Sequence, residues 1–173
     1  GQVVSQPLLG RACSITMIEN DPDAIRDVRD YGFKVHYGDG SRLDILRAAG
    51  AGEAKVVIVA VDDPEAALKI VELMKAEFPL VPVIARSFDR EHALKLVHAG
   101  VDFQARETFE SAMSLAEKAL EFMDVEEEER AEVIEDIRRR DAERFANEIV
   151  GGLDAGRVFL YGNAPQRGLP GST

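Results

Sequence analysis

The chain is poor in the residues on which much site chemistry is built. Its 173 residues include one cysteine, no tryptophan and three histidines. A lone Cys13 excludes a disulfide framework and fits a reducing compartment. With no histidine or other base near it in sequence, it reads as a small, semi-buried hydrophobe rather than a nucleophile. His36, His92 and His98 are scattered, and the two that share a helical stretch lie at i and i+6, off any common face, so no metal site is expected. Neither a Ser-His-Asp constellation nor a Walker-type phosphate loop is present. No run approaches the roughly 18 apolar residues of a membrane span, and the N-terminus shows no signal-peptide pattern. Basic residues are also scarce, at 21 Lys and Arg against 32 Asp and Glu, for a net charge of −11. That removes the basic stripe on which nucleic-acid binding depends.

What is present suits a single domain with an appendage. Hydrophobic residues make up 46%, enough for a real core. The acid is uneven: residues 121–148 hold 12 Asp and Glu against 5 Arg, most of the net charge. The end of the chain is therefore compositionally distinct.

Before that segment, short apolar runs alternate with helical patterns. Residues 2–11 read as a short helix, kinked at Pro7, with Val3, Val4, Leu8 and Leu9 on one side. Residues 14–19 form a strand ending in Glu19. Asn20 and Asp21 turn the chain, and Pro22 opens a helix to about Tyr31, with Ile25 and Val28 inward and Gly32 as its stop. Residues 33–37 are the next strand, and Gly38-Asp39-Gly40-Ser41 leads into a helix with Ser41 as N-cap and Asp44 three residues on. Residues 55–61 are almost wholly apolar, as a strand covered on both faces should be. Asp63-Pro64 starts a helix to Phe78 whose inner stripe is Ala67, Ile70, Val71, Met74 and Phe78. Residues 81–85 are a strand running into Arg86. Asp89 caps a helix to Ala99, stopped by Gly100, and residues 101–105 are the last strand. Strands alternating with helices of this length predict a parallel sheet with right-handed crossovers.

The fold class is therefore α/β: a Rossmann-like parallel sheet with helices on both faces, its first strand lying before Gly1, plus a C-terminal helical extension. The expected domains are 1–107 for the nucleotide-binding sheet, 108–150 for two tail helices, and 151–173 for a Gly- and Pro-rich disordered tail. The stripe Phe109, Ala112, Met113, Ala116, Ala119, Leu120 and Met123 is wider than a solvent-facing helix needs, so a second surface should cover it. The second tail helix is expected from Arg130 to about Val150, after an acidic break at 124–129.

Ligands of open α/β folds bind at the carboxyl edge of the sheet. Here that edge is acidic, so a phosphate would be accepted only over the glycine loop before the first helix, near Gly1. Glu19 lies 18 residues after Gly1, close to the roughly 20 expected between a glycine loop and the acid that holds a ribose. A carboxylate there accepts from ribose hydroxyls and repels a 2′-phosphate, favouring NAD(H), AMP or ATP over NADP. Asp21, Ser41, Asp63 and Asp89 stand where helix caps belong. Glu19 precedes a cap and has no capping duty. Asp39, Asp62 and Arg86 serve either a structural or a ligand reading.

The segments ENDPD, VHYGDGSRLDILRAAGAGEAKVVIVAVDDPE and PVIARSFDREHALKLVHAGVD, followed by RETFE, resemble the RCK, or TrkA-N, nucleotide-binding domains of potassium transport. Within that family they are most similar to the C-terminal domain of Kef-type glutathione-regulated potassium-efflux antiporters. The resemblance covers residues 1–123 strongly and 124–150 weakly. It implies a dimeric regulator rather than an enzyme, on the cytoplasmic face of the inner membrane beneath the antiporter domain of its own chain or system. It implies NAD(H) or AMP as cofactor, glutathione as a further ligand in the Kef branch, and a homodimer through the helix 108–123. By motif, Gly1 and Gln2 match the end of GxGRxGQ, Glu19 matches the ribose acid, and Asp39, Asp62 and Arg86 match positions lining the cleft. The candidate cofactor-binding set is thus Gly1, Gln2, Glu19, Asn20, Asp39, Ser41, Asp62 and Arg86. The chain departs from the pattern in lacking the leading glycines with their Arg. It also carries Arg138-Arg139-Arg140 where the relatives use an Asn for glutathione. Two other readings are a fragment of an NAD-dependent oxidoreductase and a protein-interaction module docking through the acidic tail.

Overall fold

A computed structural model describes residues 2–29, 33–153 and 155. Gly1, the helix end at Tyr31 with its Gly32 stop, and nearly all of the 151–173 tail lie outside them. The chain divides into two compact units, 1–112 and 113–173.

In the first unit, α1 (Gln2–Gly10) leads to β1 (Thr16–Glu19), α2 (Pro22–Arg29), β2 (Lys34–Tyr37) and α3 (Leu43–Ala48). After a single 3-10 turn at Ala51–Glu53 come β3 (Val57–Val59), α4 (Pro64–Glu77), β4 (Val83–Ser87), α5 (Arg90–His98) and β5 (Phe103–Arg106). Pro7 lies inside α1. Val3 and Val4 do not share a buried face with Leu8 and Leu9: they are exposed, while Ser5 of that helix is buried.

Every strand pair is parallel. β1 and β2 pair from Thr16↔Lys34 to Glu19↔Tyr37. β3 and β4 pair from Val57↔Val83 to Val59↔Ala85, and β4 and β5 from Ile84↔Phe103 to Ser87↔Arg106. The order is thus β1-β2 in one sheet and β3-β4-β5 in another. Four of the five strands are shorter than the apolar runs suggest, because a ladder reaches only as far as its partner; β4 keeps five residues but lies two further along than the run 81–85. Among the described residues β3 pairs with β4 alone, and three of the seven residues 55–61 are laddered, while Val61 is exposed.

The core lies beneath β3 and β4. Ala67, Val71 and Met74 of α4, Val83 of β4 and Leu96 of α5 are completely buried, and Ile18 of β1 packs against the same cluster. The inner stripe of α4 is as the spacing predicts, except that Phe78 is half-buried. Asp63 caps α4 through the Glu65 amide, with Pro64 at the first helical position, and Asp89 caps α5 through the His92 amide. Gly100, at φ 91°, ends the α5 region in the left-handed conformation that suits glycine. Arg42, not Ser41, holds the N-cap position of α3, and no side chain caps that helix.

α6 (Glu107–Phe122) starts in the first unit and ends in the second; α7 (Glu127–Gly151) belongs to the second. α6 buries none of its residues, and Leu115, Phe122 and Met123 stand 72%, 81% and 70% exposed. α7 begins three residues before Arg130, inside the stretch read as an acidic break. The reason is electrostatic: Glu127, Glu128 and Glu129 occupy its first turn, where negative charge complements the helix dipole. Ile134, Ile137, Phe145 and Ile149 are half-buried, and Gly152 ends the helix at φ 79°.

Candidate functional site

The carboxyl ends of β1 and β2 lie side by side, since Glu19 is opposite Tyr37 and the Gly38 amide donates to the Glu19 carbonyl at 3.0 Å. Glu19 is half-buried. Its Oε1 accepts from the amides of Asn20, at 2.9 Å, and Asp21, at 3.0 Å. The carboxylate therefore does have a structural duty, contrary to the expectation from its place before the cap. The turn folds back on the acid that precedes it, and this fixes the carboxylate at the strand end with Oε2 unengaged by any described residue. Asn20 is exposed in the same turn, and Asp21 caps α2 by accepting from the Asp23 amide at 2.9 Å.

Asp39 and Ser41 form a closed pair. Asp39 Oδ1 accepts from the Ser41 amide at 2.8 Å, and Oδ2 accepts from the Ser41 hydroxyl at 2.9 Å. Ser41 does not cap α3 because the helix starts at Leu43, which leaves the extended Arg42 at the N-cap and Ser41 one residue too early. These two bonds, with smaller help from the charges of Lys69 and Arg42, hold the Asp39 carboxyl below its ordinary value. Gly40 sits over Ile70 of α4, where an added Cβ would come 3.5 Å from Ile70 Cδ1.

The ends of β3 and β4 build a second part of the edge. Arg86 bridges it: its NH1 donates to Glu107 Oε2 at 2.7 Å, while NH2 donates to the Val61 carbonyl at 3.1 Å and to Asp62. Asp62 is otherwise almost fully exposed. Val61, Asp62, Arg86, Phe88, His92 and Glu107 line a cavity of about 240 Å³. A second hollow of about 200 Å³ adjoins it across Phe88 and His92.

The structure thus brings Asp62 and Arg86 together, joins Asp39 to Ser41, and sets Glu19 and Asn20 beside the end of β2. It gives Gln2 as the first residue of α1, and Gly1 lies outside the described residues. Sequence reasoning missed Glu107, Phe88 and His92. Glu107 had a signal, since it directly follows the last strand, as Asp62 follows the apolar run that holds β3. Phe88 and His92 are brought to the cavity by the Asp89 cap, which folds α5 back over the end of β4. Among the described residues no group of His, Cys, Asp and Glu is arranged to hold a metal.

Comparison with known proteins decides what this edge belongs to. Residues 1–105 match the TrkA-N domain family. The chain belongs to that family. Within it, this TrkA-N domain is 40% identical over 160 residues to a glutathione-regulated potassium-efflux system protein of Haemophilus influenzae, matching 92% of this chain and 26% of the relative. It is also 40% identical over 149 residues to the KefC protein of Salmonella paratyphi B, matching 84% of this chain and 24% of the relative. The TrkA-N chain therefore spans about a quarter of the length of these relatives. The Kef C-terminal domain of Shewanella denitrificans, solved in AMP-bound form, superposes with a TM-score of 0.78 at 32% identity, covering 86% of this chain and 90% of that one. The chain is thus of the Kef C-terminal type. A TrkA-N domain of an Escherichia coli inner-membrane protein shares the fold, with a TM-score of 0.63 at 21% identity, covering 66% of this chain and 85% of that one.

Proposed function

We propose that this domain is the ligand-sensing regulatory part of a potassium-efflux, K+/H+ antiport, protein at the cytoplasmic face of the inner membrane. It binds AMP or NAD(H) at the carboxyl edge of the sheet and passes the state of that site to an antiporter domain of the same chain or system. Its role is regulatory, not catalytic. The observation that carries the reading is the likeness, along most of both chains, to a Kef C-terminal domain solved with AMP. The geometry supports it: Glu19 is held at the end of β1 by two backbone amides, with one oxygen left for ribose hydroxyls. Gly1, Gln2, Asn20, Asp39, Ser41, Asp62 and Arg86 complete the proposed cleft, with the phosphate toward Gly1.

The domain acts as a homodimer joined through α6, whose 16 residues bury no side chain while Leu115, Phe122 and Met123 stand exposed. Glutathione is proposed as a second ligand, by analogy with the names of the relatives. Arg140 Nε donates to Asp136 at 3.0 Å and Arg139 pairs with the same carboxylate. These cations are thus partly neutralised within α7. Calorimetry with AMP, NADH and NADPH tests the nucleotide reading. AMP and NADH should bind, and NADPH should bind at least tenfold more weakly because Glu19 faces its 2′-phosphate. Equal or tighter binding of NADPH would refute the role given to Glu19.

A further inference from the structure

The cavity wall contains one buried titratable group that nucleotide binding leaves unused. His92 is the third residue of α5 and is 7% exposed. Its Nδ1 accepts from the Phe88 amide at 3.2 Å. An imidazole accepting at Nδ1 is neutral and carries its proton on Nε2. That Nε2 is buried and makes no hydrogen bond. The contact at Nδ1 exists only while the ring is uncharged.

Phe88 is tied on its other side to α6. Its carbonyl accepts from the Thr108 amide at 3.4 Å and from the Thr108 hydroxyl at 3.0 Å. One residue before Phe88, the Ser87 hydroxyl is bonded to Gln104 and to the Ala105 carbonyl; before that comes Arg86, which spans Asp62 and Glu107. The turn 87–89 thus joins the end of β5, the start of α5 and the first turn of α6, and through Arg86 beside it the end of β3; His92 is its clasp.

We propose that His92 is a proton-sensitive positioning residue, whose neutral ring holds the turn 87–89 against both the cleft and the start of α6 and whose protonation releases it. On protonation Nδ1 gains a hydrogen that faces the Phe88 N–H, two donors meet, and the contact must open. The proton comes from solvent and no covalent bond between heavy atoms changes. The charged groups around the ring are Asp62 and Glu65 from the β3–α4 side, Arg86 from β4, Asp89, Glu91 and Lys95 from the α5 side, and Glu107 from α6. Carboxylates outnumber cations in this set and favour the imidazolium. Burial and the positive end of α5 oppose it. Burial is the larger influence and, with Lys95, leaves the ring titrating below its ordinary value despite Asp89, the Pro64 main chain and Glu65. The clasp is closed at neutral pH and opens on acidification.

The inference rests on the nucleotide reading only for its link to the cleft. The test is an amide and imidazole NMR titration of the whole chain from pH 7.5 to 5.0, beside calorimetry with AMP at the two ends. The Phe88 and Thr108 amide shifts should follow the His92 ring titration, exchange protection of the Phe88 amide should fall at least tenfold, and AMP affinity should drop at the acid end. His92→Asn, which keeps an acceptor near the Nδ1 position but cannot titrate, should abolish the pH dependence of both amides and of AMP affinity. Phe88 and Thr108 amides that stay still while His92 titrates would overturn the clasp, as would a ring that never titrates while the fold persists. AMP affinity unchanged by pH while the amides move would overturn the link to the cleft. Absence of AMP binding at both pH values would instead refute the nucleotide reading and leave the clasp to the amide data.

Discussion

Replacing Glu19 separates its two duties. In Glu19→Ala both the ribose acceptor and the turn acceptor are lost; in Glu19→Gln the side-chain oxygen that receives the Asn20 and Asp21 amides is kept, while the charge is removed. A hydrogen bond to a charged group contributes about 1.5–3 kcal/mol. At about 1.4 kcal/mol per factor of ten, Ala should weaken AMP roughly 10- to 150-fold. Both turn bonds are exposed, so water can replace them, and the stability cost should be at most about 1 kcal/mol, a shift of about 2–4 °C in Tm. Gln should melt with the parent protein and still bind AMP more weakly, because a neutral amide accepts less strongly from a hydroxyl. Calorimetry and thermal unfolding on the three proteins give both numbers. If Ala and Gln bind AMP as the parent does, Glu19 is a turn residue only and the ribose assignment fails. If Ala loses binding only in proportion to a large loss of stability, the turn rather than the contact carries the effect.

Two further outcomes follow from other parts of the chain. Leu120→Glu on α6 should convert the dimer to a monomer by light scattering, since a charge buried in an apolar seam without a partner costs several kcal/mol; a persisting dimer would place the interface elsewhere. Asp39 is held below its ordinary value by Ser41, and Asp102 likewise, chiefly by Lys75 and the Val83 amide. Their stabilisation is complete above the unfolded carboxylate range, near 3.8, and is lost as pH falls through the lowered folded values. Urea midpoints measured down the acid limb should therefore drop less steeply for Asp39→Asn than for the parent, and parallel limbs would contradict the role of the Asp39–Ser41 pair.

The fold was largely legible because the periodic signals and the helix caps agree with one another. Asp63-Pro64 and Asp89 announced α4 and α5, and both acids make the cap bonds their positions imply. Where the reading erred, a competing local interaction had won. Ser41 looks like a cap in sequence, but the turn it closes with Asp39 runs one residue further and leaves Arg42 at the N-cap. The glutamates 127–129 look like a break, yet they suit the first turn of a helix. Strand lengths other than that of β4 were overestimated because apolar character marks where a strand could extend, while pairing marks where it does. At the site, the acids at strand ends were legible one strand at a time. The bridge from Asp62 through Arg86 to Glu107, and the clasp of His92 on Phe88, depend on contacts between residues 21 and 24 positions apart or on a side chain reaching back one helical turn. Periodicity carries no information about either.

The central claim is that an adenine nucleotide lies along the carboxyl edge of this sheet. An amide NMR titration of the chain with AMP tests it most directly. Saturable shifts should concentrate at residues 19–23, 37–41 and 61–63, with the α7 amides unmoved. Shifts confined to α7, or none at millimolar AMP, would contradict it.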